Sequence, residues 1–562
     1  MKVLFVGINA KYSHTALAVD YLYEACQDFN VKKLEFNINH QIEHIYGELI
    51  REKPDVVGFS TYIWNIDYVR KLTADLAMTT DGVVFWGGPE ASYDVEDHFA
   101  INPGLDIIVR GEGEVTNRVL LETLEKGGDL REVEGITYRQ GEKVYHNKDR
   151  EAIENLDSIK SPFENIQSDP GKMVYYEMSR GCPFNCSYCL SSAIKGVRYF
   201  SFNRIKEDLD HIMKSGTKVV KLVDRTFNAN EKFSKDVMDY IVKNSPKGIV
   251  FHMELMAHLI SDDFLDYLSY LPQGLFQFEI GIQSSNPKTL EAIHRKTNLE
   301  RLSYVVKKIR SFENIHQHVD LIVGLPYEDY ESFKKSFDFA YSLGAEKLQL
   351  GFLKVLRGSK MAACVKDHGI QYSNYPPYEV KATKYMSADE VRRLKLMEDL
   401  VESYSNEDYF HHSLQYLLRN QSPFDFYEAF SFWWEDQDYH KRNHSRKSLY
   451  GILYDYLKDR EDIEDLREWI RLDHFIHERS RPEPVLEEKE VKRAFYPKIL
   501  KDEKVRASFG RDMEVPTKVL LKDFAFGKFI LVGEERVYGV DYKNAKYFDI
   551  TDDYKRIIGE RE

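Results

Sequence analysis

The sequence predicts an α/β protein in three parts: an N-terminal doubly wound parallel sheet, a central partial (β/α)6 barrel, and a C-terminal region, mostly α-helical, with a small antiparallel sheet. Three observations carry this. Over residues 1–150, short apolar runs alternate with segments of helical spacing, the pattern of a parallel sheet covered on both faces. Over residues 173–369 a strand–helix unit repeats six times, which indicates an open, incomplete barrel. After residue 370 helical spacing dominates until an alternating apolar–polar stretch at 519–549.

The 562 residues suffice for three or four domains at roughly 150 residues each. Apolar residues are 43% and charged residues 30%, the balance of an ordinary soluble globular chain. No apolar run approaches the roughly 20 residues that cross a bilayer, so a membrane is not an expected partner. The opening Met1–Gly7 reads as a buried strand and is too short for a signal peptide. Three of the five cysteines fall within eight residues, which argues against a disulfide framework and for a reducing cytoplasm. The net charge of −14 disfavours a large nucleic-acid footprint, so DNA is not expected, while room remains for a local RNA contact.

In the N-terminal part the expected strands are Val3–Val6, Leu34–Asn37, Asp55–Ser60, Gly82–Gly87 and Ile107–Arg110, with helices over Thr15–Cys26 and from about Asn65. A hairpin over Gly135–His146 closes this domain, and residues 151–172 form a linker. Open α/β sheets bind ligands beyond the carboxyl ends of their strands. The loops there read Ser60-Thr61-Tyr62-Ile63-Trp64-Asn65, Gly87-Gly88-Pro89-Glu90-Ala91-Ser92 and Gly111-Glu112-Gly113-Glu114. Glycines in such places let a large ligand approach the backbone. Each loop alone is a weak sign of a nucleotide or phosphate site.

The six central strands are expected at Val174–Met178, Val219–Val223, Ile249–Leu255, Leu275–Ile282, Val319–Val323 and Lys347–Leu353. In barrels of parallel strands, chemistry sits at the carboxyl ends. Polar residues gather there: Asp224-Arg225-Thr226, Glu254, Glu279, Gln283-Ser284-Ser285 and Asp320. The loop after the first strand holds Cys182, Cys186 and Cys189, spaced C-x3-C-x2-C. Thiolates bind iron–sulfur clusters, and a four-iron cluster normally takes four of them. Three in one loop leave one iron open to a substrate or cofactor. The competing reading is a zinc site, which needs a fourth ligand and usually two separated pairs.

The cysteine loop, with Tyr188 before the third cysteine, resembles the cluster motif of the radical S-adenosylmethionine (radical SAM) superfamily. The resemblance implies that Cys182, Cys186 and Cys189 bind a [4Fe-4S] cluster. It implies that SAM chelates the open iron through its amino and carboxylate groups, and that an electron then splits the sulfonium to give a 5′-deoxyadenosyl radical. An electron donor such as flavodoxin or ferredoxin follows as a partner. Gly281-Ile282-Gln283-Ser284, followed by Ile293–Thr297, resembles the branch that contains methylthiotransferases and cobalamin-dependent cyclases and methylases. By that resemblance Tyr188, Gln283, Ser284 and Arg295 lie at the SAM site, the last three against its ribose or carboxylate, and Glu254 accepts from the ribose hydroxyls. Read from the residues alone, Glu254 and Glu279 are equally well structural ion pairs, because a charge within an apolar run must be partnered. Asp224 is equally well a loop-ordering acceptor.

Ahead of the cysteine loop, Ser60, Tyr62, Trp64, Gly87, Gly88, Pro89, Gly111, Glu112 and Gly113 resemble the ligand loops of cobalamin-binding domains. One departure stands out. The Asp-x-His-x-x-Gly motif whose His coordinates cobalt is absent, and the loop instead runs Gly7-Ile8-Asn9-Ala10-Lys11-Tyr12-Ser13-His14. Radical SAM relatives commonly lack that motif, and His14 reads as a loop or capping residue. The alternative is a degenerate Rossmann-like domain kept for substrate binding or packing. Leu356-Arg357-Gly358-Ser359 stands where relatives often carry a Pro-Gly-Thr turn. Cys26 reads as a core residue on an apolar helix face, and Cys364 as a small buried helix residue, with a radical-quenching thiol as the alternative.

The resemblance covers residues 1–360. Residues 370–562 resemble an extension found in a subset of these proteins, with no activity attached, and their size assigns them to substrate recognition. His411-His412 point to different sides of a helix, and the basic run His440–Lys447 reads as a solvated connection. The expected function is a cobalamin-dependent radical SAM enzyme that methylates an unactivated carbon of a small molecule or RNA. One SAM methylates cob(I)alamin, a second supplies the radical, and the substrate radical takes the methyl group. Two alternatives stay open: cyclisation or rearrangement without methyl transfer, and a cobalamin- or metabolite-binding regulatory protein with a structural cluster.

Overall fold

The computed structural model describes residues 1–166, 169, 171–193, 196–487 and 489–559. The chain divides into two compact units, Met1–Ala345 with Gln349–Val391, and Glu346–Leu348 with Arg392–Glu562.

The first unit opens with a seven-stranded sheet: β1 (Lys2–Asn9), β2 (Asn30–Asn37), β3 (Val56–Ser60), β4 (Val83–Gly87), β5 (Ile107–Val109), β6 (Ile136–Gln140) and β7 (Lys143–His146). Their order is β2-β1-β3-β4-β5-β6-β7. The first five are parallel, and β6 and β7 pair antiparallel on the edge. The expected hairpin therefore extends the sheet rather than standing beyond it. Successive residues of β1 point to opposite faces. Leu4, Val6 and Ile8 pack with Ile45, Leu49 and Leu72, while Val3 and Phe5 pack with Val19 and Leu120. Both faces are covered, which is why the strand reads as one apolar run.

The second sheet has six strands, β8 (Val174–Tyr176), β11 (Val219–Leu222), β12 (Val250–Leu255), β13 (Phe276–Gln283), β14 (His316–Val323) and β15 (Lys347–Phe352), in the order β15-β14-β13-β12-β11-β8. The pairs from β8 to β14 are parallel, and the strands lie in sequence order without closing, as expected of a partial barrel. The first strand stops at Tyr176, not Met178, because the Met178 amide turns to donate to the Asp224 carboxylate at 3.0 Å. A small antiparallel pair follows, β9 (Ser179–Cys182) with β10 (Gly196–Tyr199). This pair frames the cysteine loop.

The segment 371–378 belongs to the first unit. It carries β16 (Gln371–Tyr372), paired with β17 (Val380–Ala382). The Val380 amide donates to Leu353 O at 2.8 Å and the Val355 amide to Tyr378 O at 3.0 Å. These bonds fasten the segment to the exit of β15, and the first compact unit runs to Val391.

The second unit is helical over His411–Leu417, Pro423–Asp436, Arg446–Leu457 and Ile463–His477, and ends in an antiparallel sheet, β18 (Lys489–Glu490), β19 (Phe524–Leu531), β20 (Glu534–Asp541) and β21 (Lys546–Asp549). Phe509, Phe524 and Phe526 anchor its sheet core. Among the described residues no helix is long and apolar enough to cross a membrane.

Candidate active site

The strand order of the first sheet reverses between β1 and β3, and ligands of doubly wound sheets bind at that switch point. The loops there are tied together. Trp64 Nε1 and Asn65 Nδ2 both donate to Ile8 O, at 3.1 and 3.0 Å. Trp64 stacks on Tyr62 with ring centroids 4.3 Å apart, giving a flat aromatic wall. Gly88 adopts the left-handed φ of +104°, and a Cβ there would stand 2.7 Å from Thr61 O. Gly111 faces open space. Ile8, Tyr62, Trp64, Gly88 and Gly111 line a cavity of about 500 Å³, which also takes in Ser60, Gly87, Gly113 and His14.

The same cavity is bounded by barrel residues: Tyr175, Glu177, Arg180, Lys221, Arg225 and Glu254. Beside it lies a second cavity of about 180 Å³, lined by Cys182, Cys186, Cys189, Tyr188, Gln283 and Arg295. Arg225 and Glu254 line both. All three cysteines are free thiols. Cys182 Sγ lies 3.9 Å from Thr226 Oγ1, and Arg295 Nη1 lies 3.8 Å from Cys186 Sγ and 3.3 Å from Tyr188 Oη. The backbone of Ser187, in the middle of the loop, is bonded on both sides. Ser187 N donates to Ile293 O at 3.0 Å, and Met361 N donates to Ser187 O at 2.8 Å.

Charge in the barrel mouth is arranged in pairs. Glu279 accepts from His252 Nε2 at 2.7 Å and Lys221 Nζ at 3.0 Å. Burial opposes its ionisation, but those two partners prevail and hold it down at about 2. Burial raises Glu254, against the pull of Arg225 at 3.6 Å. Burial, then the charges of Glu279 and Glu254, push Asp320 well above the ordinary carboxylate range. Burial raises Asp224 to about 7, although Ser179 and the Met178 amide hydrogen-bond to it.

The radical SAM superfamily matches residues 176–340, the B12-binding domain residues 3–121, and a family described as a protein of unknown function (DUF4080) residues 366–538. The chain carries a radical SAM domain and a B12-binding domain.

Curated relatives of this chain include an uncharacterized methyltransferase of Pyrococcus horikoshii, 28% identical over 55% of this chain and 68% of the relative. They also include the hopanoid C-3 methylase of Methylococcus capsulatus, 34% identical over 51% of this chain and 57% of that protein. Several further curated relatives are matched over less than half of their own length. Among solved structures, the cobalamin-dependent S-adenosylmethionine radical enzyme OxsB with aqua-cobalamin bound superposes with a TM-score of 0.58 at 16% identity, covering 84% of this chain and 79% of that one. At that identity the likeness speaks for the fold.

The two domains bring a [4Fe-4S] cluster, SAM and cobalamin, and the residues present fit them. Three free thiols line one small cavity. In the same cavity Gln283 Oε1, Arg295 Nε and Asp320 Oδ1 are buried with no hydrogen-bond partner among the described residues, so polar groups stand ready for a polar ligand. Zinc does not fit: among the described residues no three of His, Cys, Asp or Glu converge to hold one metal ion. The thiols of a four-iron cluster bind different irons and need not converge.

Of the residues expected at the SAM site, Tyr188, Glu254, Gln283 and Arg295 meet in the thiol cavity. Ser284 does not line it. It is fully buried, and its Oγ accepts from the Asn286 amide at 2.9 Å. Of those expected at the cobalamin site, Ser60, Tyr62, Trp64, Gly87, Gly88, Gly111 and Gly113 line the larger cavity, while Pro89 and Glu112 do not. Glu112 is drawn away by Arg198, at 2.7 Å, and by the Ile153 amide, at 2.7 Å. Arg180 in turn bonds Glu114 at 2.5 Å and Glu177 at 2.6 Å. The Gly111–Glu114 loop is thus clamped to the β9–β10 pair. Lys221 and Met256 were not among the expected site residues. Lys221 sits mid-strand in β11, and Met256, whose Sδ lies 3.2 Å from Arg295 Nη2, gives no polar signal. In the second unit His412 turns Nδ1 to the fully buried Asp473 at 2.7 Å, so the His411-His412 pair is split between partners.

Proposed function

We propose that this protein is a cobalamin-dependent radical SAM methyltransferase acting on an unactivated carbon. The observation that supports it is the shared wall. Arg225 and Glu254 belong to both the thiol cavity and the glycine-lined cavity, so the two cofactor sites adjoin. When bound, the cluster with SAM supplies a carbon-centred radical and cobalamin supplies a methyl group. The chain's own residues do the rest. Cys182, Cys186 and Cys189 hold the cluster. Gln283 and Arg295 offer their unpaired polar atoms to SAM, and Glu254 accepts from its ribose. Tyr62 and Trp64 shield one face of the larger cavity from water. The names of the two relatives above support methyl transfer, and that of the hopanoid C-3 methylase supports a carbon acceptor. The electron is drawn from a donor of the flavodoxin or ferredoxin kind.

The test is anaerobic reconstitution with iron, sulfide, cobalamin, reductant and methyl-labelled SAM, supplied with an anaerobic small-molecule and RNA extract of the source cells. Label in a carbon-methylated product together with 5′-deoxyadenosine is expected. 5′-Deoxyadenosine without labelled product favours rearrangement. Tight cobalamin binding without 5′-deoxyadenosine favours a regulatory protein.

A further inference from the structure

The two cofactor loops are joined by a path of side chains that neither family match assigns a role. Glu90 lies two residues beyond Gly88 and is almost completely buried. Its carboxylate accepts from Tyr378 Oη and lies 3.6 Å from Arg357 Nε. Arg357 Nη1 also reaches Asp94 at 3.2 Å and Asp97 at 3.3 Å, on the same side of the first sheet. Its guanidinium carbon stands 5.6 Å from the centroid of the Tyr378 ring. Next to it, Gly358 has a φ of +75°, and a Cβ there would run into the Tyr93 ring at 2.2 Å. The Glu90–Asp94 turn is thus gripped twice, by charge at Arg357 and by contact at Gly358.

The other end of the same short segment reaches the cysteines. Ser359 caps the helix Lys360–Cys364, accepting from the Ala362 amide at 3.2 Å. From this helix Lys360 Nζ donates to Asn185 Oδ1, and the Met361 amide donates to Ser187 O at 2.8 Å. Asn185 and Ser187 flank Cys186. Five residues, Arg357–Met361, therefore contact both the loop after β4 and the cysteine loop after β8.

We infer that Arg357 and Gly358 are positioning residues that set the distance between the cobalamin site and the cluster. The inference rests on the proposed function only in that both cofactors bind; methyl transfer need not occur. A buried carboxylate that takes a hydroxyl bond and faces an arginine at ion-pair distance holds those partners closely, because a lost partner leaves an under-compensated charge. A misplacement of about 1 Å between reacting groups can lower a rate about 10²-fold. A brace between the two loops therefore has a direct consequence for radical capture. An ordinary packing contact predicts lower stability when it is removed, and no change in cofactor separation.

Pulsed EPR measures that separation in holoprotein carrying cob(II)alamin and the one-electron-reduced cluster. Wild-type protein is expected to give one narrow distance distribution. Arg357→Gln and Gly358→Ala are expected to broaden it or shift it by about 1 Å or more, with iron content and cobalamin affinity within a few-fold of wild type. Where Arg357→Gln does not fold, Arg357→Lys replaces it and is expected to give a smaller change in the same direction. An unchanged distribution with both cofactors bound overturns the inference and leaves the proposed function standing. Protein that binds no cobalamin overturns both.

Discussion

The Arg225 guanidinium lies 3.6 Å from the Glu254 carboxylate, and this pair stands between the thiol-lined cavity and the cavity of the switch-point loops. The Arg225 side chain is half exposed and its guanidinium makes no hydrogen bond among the described residues, so the pair is loosely held. A pair so placed can open to admit a ligand on either side. Ion pairs with one solvent-exposed partner contribute little, about 0–1 kcal/mol, so little is lost when a ligand displaces one.

Glu254→Gln tests the ligand role directly. If the carboxylate accepts from the SAM ribose, SAM affinity measured by anaerobic calorimetry falls about 10-fold, or ~1.4 kcal/mol, with iron content unchanged. An unaltered affinity would leave Glu254 with Arg225 as its sole partner.

The glycine loops make a paired prediction. Gly111→Ala costs about 1 kcal/mol through left-handed backbone strain, with no neighbour to strike. Gly88→Ala costs more, because Thr61 O must also give way. Both are expected to weaken cobalamin binding about 10-fold in a visible-absorbance titration. Equal affinity in wild type and both variants would remove these loops from the cobalamin site.

The buried His98 predicts an acid dependence of stability. Burial, then Arg357, depress its pKa to about 4, and its Nε2 lies 2.9 Å from Glu90 O. Asp94 and Arg70 are the other charged groups near it. The unfolded chain takes up this proton near pH 6.5, the folded chain only near 4. The stability is therefore complete above pH 6.5 and is lost as pH falls toward 4, by about 2 kcal/mol at pH 5. Denaturation midpoints at pH 7 and pH 5 should show a smaller acid loss in His98→Gln than in wild type. Equal losses would show that His98 takes up its proton in the folded state as easily as in the unfolded one.

In the second unit, Asp473 accepts from the His412 amide at 3.1 Å, the Ser413 amide at 2.8 Å and His412 Nδ1 at 2.7 Å, while fully buried. Asp473→Ala strands those donors and should cost about 3 kcal/mol, visible as earlier proteolytic cleavage within residues 392–562. Unchanged resistance would mean that water satisfies them.

The parallel sheets were legible because strands such as β1 are covered on both faces and read as unbroken apolar runs. The cysteines were legible because three thiols in eight residues have few structural uses. The β9–β10 pair was not legible: Ser179–Cys182 and Gly196–Tyr199 carry no alternation that marks a strand. Glu112 was read with the cofactor because it lies among glycines. The partner that draws it away, Arg198, is 86 residues further on, and nothing local announces it. Lys221 reads as a solvent-facing strand residue until Glu279, 58 residues away, is seen beside it. Long-range charge pairing is the part of this site that the linear order conceals.

The most direct measurement is 5′-deoxyadenosine formed from SAM by anaerobically reconstituted, reduced protein, compared with Cys182→Ala, Cys186→Ala and Cys189→Ala. Wild-type protein is expected to form it, and each variant is expected to lose both the cluster iron and the product. Product from any single variant at the wild-type rate, or none from wild-type protein with a full complement of iron and sulfide, would contradict an open iron held by these three thiols.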